Sequence, residues 1–119
     1  MGQPSNLVVL TGTVTAAPTR RALPSGVDVV NFDVATHVDG GTASVPIAWY
    51  DPSGTALSSF GAGEEIVVIG SVRRRFFRVG GQTQSRTEVV VATLVPTRRT
   101  KTTRSALAAA AAEITQAGE

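Results

Sequence analysis

The stretch from Glu64 to Val91 constrains the fold more than any other part of the chain. It opens with an aliphatic run and then combines four arginines with two phenylalanines in six residues, Arg73–Arg78. Gly80 and Gly81 follow, and a second β-rich run comes after them. Paired glycines between two strand-forming runs are typical of a β-hairpin. The stretch therefore predicts two long antiparallel strands with cations near their far ends.

The arginine-rich strand has two different faces, because successive side chains in a strand point to opposite sides. One face holds Arg73, Arg75 and Phe77, and the other holds Arg74, Phe76 and Arg78. Guanidinium groups beside aromatic rings suit single-stranded nucleic acid, since cations meet phosphates and rings stack on bases. A solvated hairpin whose charged edge prevents aggregation is the alternative.

The distribution of charge is strongly uneven. Residues 73–104 contain nine arginines and lysines against Glu88 alone, whereas the rest of the chain contains two arginines against eight acidic residues. Such a separation creates a local positive field although the net charge is only +2. Polyanions are therefore the expected partners, and a membrane surface is not, because the basic stretch has the chemistry of a strand.

The 119 residues favour one domain with one core. There is no cysteine, and His37 is the only histidine. We therefore expect no disulfide, metal site, cofactor or catalytic activity. No signal peptide or membrane-length apolar run is seen, which leads us to expect a cytoplasmic, nucleoid-associated protein.

The order of the predicted elements indicates the architecture. Strands are predicted over Asn6–Val14, Asp28–Val38 and Ala43–Tyr50, with a loop at Ala16–Gly26 and a short helix at Thr55–Phe60 before the long hairpin. Five strands with one helix between the third and fourth are the layout of an OB-fold, an all-β barrel that binds oligonucleotides. We expect this domain to span residues 1–96.

Residues 97–119 are expected to form a basic link and an alanine-rich tail. The tract Ser105–Ile114 has high helix propensity, and Ser105 could cap a helix there. Docking on a neighbouring subunit and fraying in solvent are both compatible with this tract.

An ordered set of short segments resembles the bacterial single-stranded-DNA-binding protein family. The segments are Asn6–Gly12, Leu23–Gly26, Val30–Thr36, Gly63–Gly70, Arg73–Arg75 and Arg86–Val91. The resemblance implies an OB-fold that coats single-stranded DNA with little sequence preference during replication, recombination or repair. It also implies a homotetramer, and the apolar run Leu7–Leu10 itself argues for at least a dimer.

The resemblance also assigns site residues. By position, the base-stacking aromatics of the family correspond to Trp49 and Phe77, although a lone Trp in a small β domain is more often part of the core. Tyr50 could take either role. The full set of candidate DNA-binding residues is Trp49, Arg73, Arg74, Arg75, Phe76, Phe77, Arg78 and Arg86.

The last residues of the chain depart from the family pattern. They contain no acidic run, whereas the acidic tip of the family recruits repair and replication enzymes. We therefore expect no such recruitment, as in a short paralogue. An OB-fold accessory module that binds protein and only weakly binds single-stranded DNA is the alternative function.

Overall fold

The computed structural model describes residues 4–117, which form six strands and two helices. In chain order these are β1 (Val8–Val14), β2 (Thr19–Ala22), β3 (Asp28–Val38), β4 (Gly41–Tyr50), α1 (Gly54–Leu57), β5 (Glu65–Val79), β6 (Gln82–Pro96) and α2 (Thr100–Ala117). No helix in the described part of the chain is long and apolar enough to cross a membrane.

Five of the strands close a barrel. β1 pairs with β5, β5 with β6, β6 with β4 and β4 with β3, and β3 returns to β1 at Thr13 and Val14. The predicted all-β barrel of five strands is confirmed, with α1 between the third and fourth barrel strands in chain order.

β2 corrects the prediction of a loop over Ala16–Gly26. Arg20 and Arg21 pair with Val30 and Val29 of β3, so β2 extends the sheet beyond the barrel. The open edge of β3 offers backbone hydrogen bonds that a solvated loop would forgo. The guanidinium group of Arg20 also forms an ion pair with the neighbouring Asp28.

The barrel is filled from alternate positions of its strands. Its buried residues are Val14, Val30, Phe32, Val34, Ile47, Phe60, Ile66, Val68 and Val89. Burial of a side chain of this kind contributes roughly 1.5–3 kcal/mol. β1 approaches β3 so closely at Gly12 that a Cβ there would collide with the carbonyl oxygen of Ala35, so a larger residue would force the strands apart.

β5 and β6 continue past the barrel as a two-stranded arm, which we define as Arg73–Glu88. Gly80 and Gly81 form its two-residue turn with φ angles of 58° and 81°. This turn matches the twist of the strands it joins. The arm therefore has a fixed register from its tip to the barrel.

A β-bulge lies where the arm joins the barrel. Gly70 pairs with Val91 and Ile69 with Thr93, so Ala92 is the extra residue. Because of this residue, Val91 and Leu94 both pack against the core, although they are three positions apart.

α2 packs on the outside of the barrel of its own chain. Ala110, which is 3% exposed, lies against Val67 and Ile69 of β5. The helix begins at Thr100, so Ser105 lies inside it and does not cap it. Small alanine side chains suit close packing of the helix on the sheet. Packing on its own barrel is a third arrangement for α2, besides docking on a neighbouring subunit and fraying in solvent. Gly118 and Glu119, the end of the tail without an acidic run, lie outside the described residues.

Candidate nucleic-acid interface

One face of the sheet, directed away from the core, carries half of the predicted site residues. We call it the outer face and define it by Tyr50 of β4, by Arg73, Arg75 and Phe77 of β5, and by Arg86 and Glu88 of β6. The register sets Arg73 opposite Glu88 and Arg75 opposite Arg86, and directly opposed residues share a face.

Three arginines converge on one buried carboxylate at the centre of this face. Arg73 Nη2 donates a hydrogen bond of 2.7 Å to Glu88 Oε2, and Arg75 Nε lies 3.6 Å from the same oxygen. Arg86 Nε lies 3.9 Å from Glu88 Oε1. The side chain of Glu88 is 1% exposed, whereas those of the arginines are 33–43% exposed. The arginines therefore remain accessible to a ligand.

Arg73 is bonded at two points. Its Nη2 atom donates to Glu88 and also to the hydroxyl oxygen of Tyr50. The hydrogen bond to Glu88, followed by that to Tyr50, raises the pKa of Arg73 above its ordinary value. This guanidinium therefore stays charged at every pH at which the protein would be assayed.

Aromatic rings lie beneath two of these cations. The guanidinium carbon of Arg73 lies 5.1 Å from the centre of the Tyr50 ring, and that of Arg75 lies 5.1 Å from the centre of the Phe77 ring. These are cation–π distances. Each pair therefore combines a cation that can bind a phosphate with an aromatic ring that can stack on a base.

A groove of about 650 Å³ continues from the arm towards β2. The residues that line it are Ala16, Ala17, Thr19, Arg20, Arg21, Asn31, Phe32, Asp33, Arg75 and Arg86. Asp33 Oδ1 lies 3.9 Å from Arg86 at the edge of this groove. Four arginines against one lining carboxylate give the groove a positive potential.

The opposite face of the arm carries the other predicted residues. Phe76 is 64% exposed, and the guanidinium carbon of Arg74 lies 5.2 Å from its ring centre. Arg78 Nη2 donates to the carbonyl oxygen of Gly81 at the turn. These residues form a second cation–aromatic surface, separated from the outer face by the thickness of the strand.

Trp49 is not a member of the outer face. It pairs with Val30 and shares the core-facing side of β4 with Val45 and Ile47. Its half-buried ring packs 5.9 Å from the ring of Phe60. This placement favours the core alternative that the sequence leaves open, while base stacking by Trp49 stays a prediction.

Not every residue of the basic stretch lies near this interface. Arg98 Nη2 donates to the carbonyl oxygen of Ser59, and its Nε lies 3.5 Å from Glu64. Lys101 and Arg104 are exposed on α2. Within residues 4–117, no group of three or more histidines and acidic residues is placed to hold a metal ion.

Sequence reasoning missed two members of the interface. It left the role of Tyr50 open and gave none to Glu88. The signal for Glu88 was present, because counting outward from the two-residue turn at Gly80 and Gly81 pairs it with Arg73.

Comparisons with known proteins agree with this architecture. A solved structure described as the Plasmodium falciparum SSB in complex with ssDNA is similar, with a TM-score of 0.66 and 22% identity. The match covers 81% of this chain and 98% of that one. No curated protein matches this chain. The model of the single-strand binding protein family matches residues 5–97. This match spans the OB-fold barrel and its arginine-rich arm, and it shows that the chain belongs to the single-strand binding protein family.

Proposed function

We propose that this protein binds single-stranded DNA along the outer face of its arm, with little preference for sequence. The observation that carries the proposal is the convergence of Arg73, Arg75 and Arg86 beside the rings of Tyr50 and Phe77. Membership of the single-strand binding protein family supports it. Binding rather than catalysis is the activity we assign.

The chemistry of the outer face explains why the bases would not be discriminated. Each guanidinium has five N–H donors, and contacts with Glu88 and Tyr50 leave most of them available for phosphate oxygens. Phosphates are the same in every sequence. A ring such as that of Phe77 stacks on any base, because every base has a π-face.

The proposed path of the strand extends from this face in two directions. Towards β2, the groove offers Arg20 and Arg21 as further phosphate contacts. Around the arm, the opposite face adds Arg74, Phe76 and Arg78. The proposal thus retains every predicted arm residue, adds Tyr50, and assigns Trp49 to the core.

We further propose that the chain assembles through β1 into at least a dimer, and into a homotetramer as is usual in the family. Over Val8–Gly12, β1 pairs with β5 along one of its edges. Val9 is 44% exposed on this strand. We assign to this assembly the role of coating single-stranded DNA during replication, recombination or repair. This role would be carried out in the cytoplasm, at the nucleoid.

A titration of labelled oligo(dT) followed by fluorescence anisotropy tests the binding proposal. For single strands, the slope of log K against log salt is roughly −0.7 per neutralised phosphate. Arg75→Ala should weaken binding to oligo(dT) and oligo(dA) alike and make the slope shallower by about 0.7. Arg104→Ala removes the same charge from exposed α2 and should leave both quantities nearly unchanged.

Two results would contradict the proposal. Preference for duplex DNA over oligo(dT) would refute single-strand binding. Equal losses in Arg75→Ala and Arg104→Ala would show that the overall charge, and not the outer face, attracts the nucleic acid. Very weak binding by the wild-type chain at moderate salt would instead favour the accessory-module function.

A further inference from the structure

Glu88 is buried in an unusual position for a carboxylate. Its side chain is 1% exposed, and it lies on the outer face rather than in the barrel core. Burial of an ionised carboxylate is unfavourable unless it is paired. Oε2 accepts the hydrogen bond from Arg73, whereas Oε1 has no hydrogen-bond partner among the described residues. The arginines around Glu88 therefore stabilise its buried charge, and the carboxylate in turn stabilises theirs.

The surroundings of Glu88 suggest a role for it. Arg73, Arg75 and Arg86 belong to two strands, and each has a guanidinium nitrogen 2.7–3.9 Å from a Glu88 oxygen. Without the carboxylate, the three cations would repel one another at short range. Their long, partly exposed side chains would then move apart into solvent.

We propose that Glu88 is a positioning residue, which holds the guanidinium groups of Arg73, Arg75 and Arg86 in place for phosphate before DNA arrives. The inference rests on the proposed function, since it explains how the outer face of the arm binds. Binding normally costs conformational entropy when flexible side chains become ordered. A carboxylate that orders three arginines in the free protein reduces that cost.

The aromatic rings depend on the same carboxylate. Arg73 lies over Tyr50 and Arg75 lies over Phe77, so fixing the two cations also fixes the positions from which the rings meet bases. One buried group thereby organises both the phosphate contacts and the stacking contacts. The negative charge of Glu88 repels phosphate only weakly, because the positive charges of three arginines surround it.

The proposal makes a prediction opposite to that of simple charge counting. Glu88→Gln keeps the shape of the side chain and makes the outer face more positive. If Glu88 were merely a negative charge near DNA, this variant would bind single strands more tightly and with a steeper salt slope. If Glu88 positions the arginines, the variant binds about tenfold more weakly, and its salt slope is not steeper.

Asp33→Asn is the matched control. Asp33 lies beside Arg86 at 3.9 Å, but its side chain is 47% exposed and approaches one arginine rather than three. Removing its charge should therefore tighten binding to oligo(dT). Anisotropy gives the affinity for oligo(dT) and its salt slope for the wild type, Glu88→Gln and Asp33→Asn. Each protein is measured below its own melting temperature. Binding by Glu88→Gln that equals or exceeds that of the wild type overturns the proposal.

A second variant serves if Glu88→Gln fails to fold. Glu88→Asp keeps the charge but shortens the side chain, so it cannot reach all three guanidinium groups. Weaker oligo(dT) binding at unchanged net charge is expected, and unchanged binding refutes the proposal.

A measurement without DNA separates this inference from the proposed function. NMR relaxation of the Arg75 and Arg86 Nε–H groups should show them ordered in the wild type and mobile in the Glu88 variants. Equal mobility in all of them overturns the positioning role. Absence of oligo(dT) binding by the wild type, with ordered arginines, would refute the proposed function and leave the role of Glu88 in ordering them intact.

Discussion

The rings of Trp49 and Phe60 lie 5.9 Å apart with their planes at 38°, which ties the tryptophan to the core. Phe60 in turn packs 5.2 Å from Phe32. The three rings form a continuous aromatic cluster in the core.

Trp49→Ala should therefore reduce stability more than DNA binding. Loss of a fully buried aromatic side chain costs roughly 3–5 kcal/mol, so about 2 kcal/mol is expected for this half-buried ring. Urea denaturation measures the loss, and an oligo(dT) titration on the folded variant should give nearly wild-type affinity. A stable variant that binds poorly would restore the stacking hypothesis for Trp49.

Phe77→Ala and Tyr50→Ala should have the reverse effect, because both rings lie on the outer face beneath arginines. Each should weaken oligo(dT) binding by about 1–3 kcal/mol, the range for removal of one base–aromatic stack. Tyr50→Phe keeps the ring but removes the hydroxyl that accepts from Arg73, and should lose less. Equal affinity in Tyr50→Ala and the wild type would exclude Tyr50 from the interface.

Ala110→Asp should separate α2 from the barrel. It places a carboxylate against Val67 and Ile69, which should lower the free energy of unfolding by about 2 kcal/mol. Ala109→Asp introduces the same charge at the neighbouring exposed position and should have little effect. Thermal melts of the two variants make the comparison. Since α2 adds no aromatic side chain to the outer face, both should bind oligo(dT) normally.

The mass of the wild-type chain in solution tests the assembly. Light scattering coupled to size exclusion should give four times 12.3 kDa. Val9→Glu should lower this mass by setting like charges against each other across β1, whereas Val38→Glu, at a similarly exposed valine of β3, should not. A wild-type mass of one chain refutes the β1 interface, and a mass of two removes the tetramer alone.

The five barrel strands and their order along the chain could be predicted because each is marked by an apolar run or by alternating apolar residues, bounded by turn or loop residues. The same turns also specify the faces. Counting back from the turn at Asp39 and Gly40 places Trp49 opposite Val30, which belongs to the core-facing set of β3. The core-facing side of Trp49 could therefore be read from the sequence, whereas base stacking by its half-exposed ring stays a prediction.

Other features depend on contacts that no local pattern encodes. β2 is a four-residue strand that exists because the edge of β3 is available to it. Docking of α2 through Ala110 requires the outward-facing Val67 and Ile69, which read in the sequence simply as part of an apolar run. The burial of Glu88 likewise arises from three arginines that surround it in space.

The bulge at Ala92 has a consequence for how this sequence can change. Below it, Leu94 faces the core, and above it, Val89 faces the core while Glu88 faces outward. Deleting Ala92 would leave Val91 and Leu94 two positions apart, so both would still face the core in a regular strand. The arm and the barrel would keep their faces, and Glu88 would still point outward. Only the local bend and extra twist that a bulge adds would be lost. Loss of this one residue is therefore expected to change the direction in which the arm leaves the barrel, and not which of its side chains are presented to DNA.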